Sequence, residues 1–174
     1  MIERLCNAGA AELLMPSDDV HAMVQEHGFS AGTIPLLCSR YNASSIAVAF
    51  QMIFTAAHHC YLVIAAPDYI APENDLPLLV DNPPAEAQLR LVMLYTAASP
   101  AAKYSIKRGQ IVPVDNPISA AWHQEGEVVN CQVKIPFASG KGWEIDFDAL
   151  SFRGKIFAFF HASPPASKDQ LQLF

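Results

Sequence analysis

Ser45-Ile46-Ala47-Val48-Ala49-Phe50-Gln51-Met52-Ile53-Phe54-Thr55-Ala56-Ala57-His58-His59-Cys60-Tyr61-Leu62-Val63-Ile64 contains the change of rhythm that decides the fold. Up to Phe54 the apolar side chains recur at helical spacing, and after Cys60 they form a short continuous run of β-branched and aromatic residues. The first pattern predicts a helix and the second a buried strand, with the junction near His58.

Working back from that junction, the chain reads as helices. Pro16-Ser17-Asp18-Asp19 ends one helix and caps another, whose positions Val20, Met23 and Val24 run to a stop at Gly28. Ser30 restarts the pattern, Ile34, Leu36, Leu37 and Tyr41 carry a third helix, and Asn42-Ala43-Ser44 turns into the one quoted above. Two helices joined so tightly resemble a helix-turn-helix. Phosphate contacts need Lys and Arg, however, and residues 44–57 contain neither. Over residues 1–57 the bases Arg4 and Arg40 stand against Glu3, Glu12, Asp18, Asp19 and Glu26, a balance of −3. DNA is therefore an unfavoured partner, and a packing module or protein-docking surface is the simpler reading.

Working forward, residues 67–86 hold five prolines and five acids with no base, which predicts a long loop. Strands follow at Gln88 to Thr96 and Lys103 to Val114, the latter turning at Arg108-Gly109. A short helix from Ile118 to Gln124 is capped by Asn116-Pro117. Val129, Cys131, Val133, Ile135 and Phe137 then alternate with polar residues. After Ser139-Gly140-Lys141-Gly142, Trp143, Ile145 and Phe147 alternate with Glu144, Asp146 and Asp148, which reads as a hairpin with one wet face. The three acids are expected on that solvated face, with Lys134 a cross-strand neutraliser. Gly140-Lys141-Gly142 lacks the spacing of a phosphate loop. The last strand runs from Lys155 to His161, before Pro164-Pro165 opens a polar tail.

The expected fold class is α+β: a helical segment over residues 1–57 with a helix-turn-helix-like pair, a mainly antiparallel sheet domain over 58–163, and a tail over 164–174. With 174 residues, 52% of them apolar, and a net charge of −6, the chain can bury a sizeable core. The apolar run from Ile46 to Ala57 is too short for a membrane span, and the opening residues lack the uninterrupted apolar stretch of a secretion signal. A cytoplasmic location is expected. Cys6, Cys38, Cys60 and Cys131 form no C-x-x-C pair, so reduced, mostly buried thiols are expected.

The opening residues carry a more specific signal. The string Glu3-x-x-Cys6-Asn7-x-Gly9-Ala10-Ala11-x-Leu13-Leu14-Met15-Pro16 resembles the segment that follows the His-Glu-x-x-His helix in the ImmA/IrrE family of metallopeptidases. In such enzymes the two histidines bind zinc, the glutamate between them activates water and a later helix supplies the third ligand. The resemblance assigns that third-ligand role to Glu3. It implies a zinc metalloendopeptidase whose protein substrate is a transcriptional repressor, in regulation of a stress response such as that to DNA damage.

None of His21, His27, His58, His59, His123 or His161 is followed by Glu with another His four positions on, so no complete zinc site can be written from this chain. Each histidine reads more simply as a surface or packing residue. The chain is expected to match the carboxy-terminal portion of such a protein, catalytically inactive alone and without tight zinc binding, the missing half being encoded upstream. The sheet domain is similar in architecture to the GAF-like sensor domain attached to IrrE-type proteins. That similarity implies a small-molecule signal, with Tyr95, Trp122, Trp143, Phe157 and Phe159 as candidate pocket walls, although core packing explains these aromatics equally well. The alternatives are a non-enzymatic ligand-sensing or protein-interaction module and a helix-turn-helix DNA-binding regulator. Oligomeric state is not legible.

Overall fold

A computed structural model describes residues 12–70, 88–136 and 142–162, and only the backbone of residues 134–136 and 142–143. The elements follow in the order α1 (Ser17–His27), a 3-10 turn (Ala31–Thr33), α2 (Ile34–Tyr41), α3 (Ser45–Thr55), β1 (Cys60–Ile70), β2 (Gln88–Ala98), α4 (Pro117–Trp122), β3 (Val128–Pro136), β4 (Gly142–Phe152) and β5 (Lys155–His161). The architecture is α+β. The five strands form one sheet in the order β2-β1-β5-β4-β3, with every neighbouring pair antiparallel.

The helix boundaries follow local chemistry. Gly28, at φ 90°, ends α1 and donates its N–H to Val24 O. Asn42 takes the left-handed conformation after α2, at φ 49°. The Ser44 hydroxyl accepts the Ala47 N–H at 3.2 Å and caps α3, and Asn116 Oδ1 accepts the Ile118 N–H at 3.0 Å to cap α4. Arg40 and Tyr41 of α2 bind the Asp19 carboxylate of α1, at 2.9 and 2.6 Å. Asp19 is held below its ordinary pKa by the Tyr41 hydroxyl first and then by Arg40.

The centre of the sheet, along β5 and the first half of β1, is dry on both faces, and this decides where functional groups can sit. Along β5 the side chains of Phe157 and Phe159 face the helices, packing with Leu62, Leu150, Ile34, Val48 and Ile53. Ile156, Ala158 and Phe160 face the other way, against Val63, Ile118, Ala121 and Phe147. The helical segment and the sheet therefore share one core, although the secondary structure changes near His58. Gln51, the polar interruption in α3, is buried and donates to Met15 O at 3.0 Å and to Ser17 Oγ at 3.2 Å, so its amide does not remain unsatisfied.

Three expectations are corrected. Residues 67–70 continue β1 rather than opening a loop, because beyond Ala65 β1 is paired only with β2 and Pro67 can lack an N–H on the open side; residues 71–87 lie outside the described ones. No strand runs from Lys103 to Val114: Ile111 alone bridges to Val92, and Gly109, at φ 77°, and Pro113 break the ladder on either side. The hairpin of β3 and β4 does not have a uniformly wet face, since Glu144 and Asp146 are exposed while Asp148, on the same row, is buried. Among the described residues no helix is long and apolar enough to cross a membrane.

Candidate functional site

Asp148 is where the helical layer meets the sheet. It lies on β4 in register with Phe159 of β5, on the row that faces the helices, and is 4% exposed. A buried carboxylate is costly unless its oxygens are bonded. Here Oδ1 accepts the N–H of Ala31 in the 3-10 turn, and Oδ2 lies 2.6 Å from Nε2 of His161 at the end of β5. The His161 Nδ1 lies 3.2 Å from Nε2 of His58, just before β1. Since the carboxylate accepts, His161 carries its proton on Nε2. In the neutral ring Nδ1 is then an acceptor, and His58 donates to it. The result is a carboxylate–imidazole–imidazole chain running out from the core.

Phe29 closes over this chain edge-on, with ring centroids 4.8 Å from His58, 5.1 Å from Phe159 and 5.7 Å from His161. Behind it the buried Ser99 hydroxyl donates to His58 O at 2.7 Å and accepts the Cys60 N–H at 3.2 Å. The outer edge of the His58 ring meets solvent. Crowding by neighbours first, and then the charges of His161 and His59, hold its pKa below 6.5.

The sign follows directly: with the folded value below the unfolded one, the unfolded chain binds more protons, so stability rises with pH. The His58 contribution is complete above pH 6.5 and is lost as pH falls toward the lower folded value. The urea midpoint is expected to drop between pH 7.5 and pH 5.5, and to drop less in His58→Gln. Equal drops in the two proteins would show that His58 does not carry the effect.

Among the described residues the site is built from hydrogen bonds. Burial pushes the Cys60 thiol up to about 12, far from a reactive thiolate. Both ring nitrogens of His161 are engaged, and among the described residues no three His, Cys, Asp or Glu side chains converge to hold a metal. The described residues therefore do not fit zinc, and Glu3 lies outside them. Cys38 and Cys60 are buried free thiols as expected, whereas Cys131 is free and exposed, because β3 is the outermost strand.

The opposite face of the sheet carries cavities. One of about 560 Å³ lies between β2, α4 and β3, lined by Leu91, Val112, Trp122 and Val129 with Arg90 and Asp115 as charged members. A second of about 310 Å³ is lined by Val63, Met93, Ile106, Ile118 and Phe160; Asn116 lines both. Such mostly apolar hollows with a few polar groups suit a small organic molecule.

The candidate pocket walls are dispersed. Trp122 lines the larger cavity, stacked on His123 at 5.3 Å. Tyr95 is partly exposed and meets Phe50 of α3, while Phe157 and Phe159 are fully buried on the helical side. The side chain of Trp143 lies outside the described ones. Sequence reading missed Asp148, His161 and His58 as a group. The signal was available only in part: aligning the β4 and β5 alternations brings Asp148 beside the last residues of β5.

No family model matches the chain. Over 164 residues it is 24% identical to the radiation response metalloprotease IrrE of Deinococcus radiodurans, a match covering 94% of this chain and 49% of that protein. Over 175 aligned residues it is 26% identical to the radiation response metalloprotease IrrE of Deinococcus deserti, covering 98% of this chain and 59% of that protein. The chain thus spans about half to three-fifths of the length of the curated relatives it matches. Similarity to two such proteins over nearly its whole length gives this chain an IrrE-like family relationship.

Proposed function

We propose that this chain is the carboxy-terminal, non-catalytic portion of an IrrE-like zinc metallopeptidase that regulates a stress response by cleaving a transcriptional repressor in the cytoplasm. The observation that carries this reading is the alignment of nearly all of this chain to about half of two radiation response metalloproteases. The sequence of Glu3 to Pro16 supports it as the segment that completes a zinc site begun elsewhere. In the whole protein Glu3 would be one zinc ligand, and the metal would supply activated water. This chain's own part is to support the peptidase and to sense.

The sensing role rests on the two cavities and on the sheet that backs them, a GAF-like arrangement. Phe160 lines the smaller cavity, while its neighbours Phe159 and His161 face the helices. A molecule that moved Phe160 would shift the strand that holds His161, and with it the hold of Asp148 on the 3-10 turn. The ligand signal would thus cross the sheet within three consecutive residues of β5.

Zinc calorimetry on this polypeptide tests the assignment. No nanomolar site is expected, because a single carboxylate cannot supply the three protein ligands that catalytic zinc takes. A tight one-to-one heat would overturn it. A purely ligand-sensing module is the second reading, favoured by the cavities alone. It predicts that no zinc-dependent cleavage of a repressor appears even when an upstream peptidase segment is joined to this chain. A DNA-binding regulator would shift duplex DNA at low salt, and the absence of Lys and Arg from residues 44–57 predicts no shift.

A further inference from the structure

The two cavities behind the sheet differ in charge. Arg90, Asp115 and His123 border the larger one, whereas no charged side chain borders the smaller among the described residues. The walls of the smaller cavity come from Val63 and Phe160 of the sheet, Met93 of β2, Ile118 of α4, and Ile106 and Ile111 of the chain between β2 and α4. The backbone acceptors of that connecting chain are already engaged. Ile106 O accepts the Thr96 hydroxyl at 2.8 Å, and Gln110 O accepts the Met93 N–H at 2.9 Å. Pro113 O takes both the Asn116 N–H at 3.0 Å and the Ser119 hydroxyl at 2.9 Å.

Two polar side chains stand on the wall, Gln110 and Asn116. Gln110 is exposed, while Asn116 is half-buried and held in place, its Oδ1 accepting the Ile118 N–H at 3.0 Å. That bond fixes which way the amide points and leaves Nδ2, which only donates, without a partner of its own among the described residues.

Resting on the sensing role given above to the two cavities, we propose that the smaller one binds an uncharged small molecule. Its ligand has an apolar body and one hydrogen-bond acceptor, a carbonyl or a ring nitrogen, which takes its bond from Asn116 Nδ2. A volume of about 310 Å³ lies at the lower end for ligand pockets and suits a compact ring compound. A carboxylate or ammonium group would lose its hydration here with no counter-charge to meet it, at a cost well above what one hydrogen bond returns. A ligand rich in donors would find the carbonyls of the connecting chain taken. The same contact ties the ligand to α4, because the side chain that binds it also caps that helix.

Three benzene derivatives of equal heavy-atom count separate these requirements. Acetophenone carries the carbonyl, isopropylbenzene has the shape without it, and benzoate has the shape with a charge. In amide-resolved NMR titrations of the 174-residue chain, acetophenone and isopropylbenzene should give saturable shifts at Met93, Ile111 and Ile118, and benzoate none there. Asn116→Asp keeps an oxygen to cap α4 but removes the donor. It should weaken acetophenone about five- to tenfold and leave isopropylbenzene within about twofold. Val133→Phe, which adds a ring to the same cavity from β3, should abolish the shifts from both. Benzoate binding as tightly as acetophenone would overturn the ligand class while leaving a sensing cavity in place. So would an Asn116→Asp variant that leaves acetophenone unchanged or weakens both neutral probes alike. Shifts from none of the three at these residues would overturn the sensing role of this cavity as well.

Discussion

Phe159→Ala is expected to cost about 3–5 kcal/mol of folding stability, the usual loss when a fully buried phenylalanine is cut back. Phe159 is 0% exposed on β5, which lies between β1 and β4, and its ring meets Phe29 at 5.1 Å. It stands in the layer where helices and sheet share a core, so the vacated space would open between them. Urea denaturation should show the midpoint falling sharply, and amide exchange should accelerate in α3 as well as in β5. Phe159→Leu should lose about 1–2 kcal/mol, since it keeps much of the buried area. A loss below 1 kcal/mol for the alanine variant, with exchange in α3 unchanged, would contradict the shared core.

Asp148→Ala is the second large effect, expected to cost about 3 kcal/mol. The change leaves the Ala31 N–H without its acceptor and releases His161, and breaking one side of a buried charged contact costs more than the contact contributed. Asp148→Asn should lose roughly half as much, because the amide oxygen still accepts one N–H while the charge assistance is gone. Exchange at Ala31 separates this from general destabilisation. In Asp148→Ala its protection should disappear under conditions where β1 remains protected. If Asp148 were one of a row of solvated acids, both variants would fall within about 0.5 kcal/mol of the wild type, as surface substitutions do.

The contrast between these two residues shows what could be read in advance. Phe159 belongs to Ile156-Phe157-Ala158-Phe159-Phe160, whose unbroken apolar character marks a strand buried on both faces. Asp148 belongs to Glu144-x-Asp146-x-Asp148, whose alternation marks one polar row, and a row is indeed what forms. The row is nevertheless wet at Asp146 and dry at Asp148, because the 3-10 turn covers only its inner end. Periodicity identifies which residues share a face but not how far a neighbouring layer extends over it. The cavity walls failed to gather for the same reason: Phe157 and Phe159 face the helices and Trp122 the other layer, a division set by strand parity and by the docking of α4 rather than by aromatic content.

Local chemistry determined a good deal by itself. The cap at Asn116, the turn at Asn42-Ala43-Ser44, the stop at Gly28, the helix-to-strand change near His58 and the course of β5 were legible, because each depends on a few neighbouring residues, whereas Ser17, Asp18 and Asp19 do not cap α1, whose N-cap is Pro16. The opening string also resembled the family whose name the two similar proteins carry. The order β2-β1-β5-β4-β3 and the meeting of Asp148, His161 and His58 arose only in three dimensions. They depend on contacts between residues far apart in the chain, such as Ala31 with Asp148 and His58 with His161, whose pairing is set by burying both faces of one sheet at once.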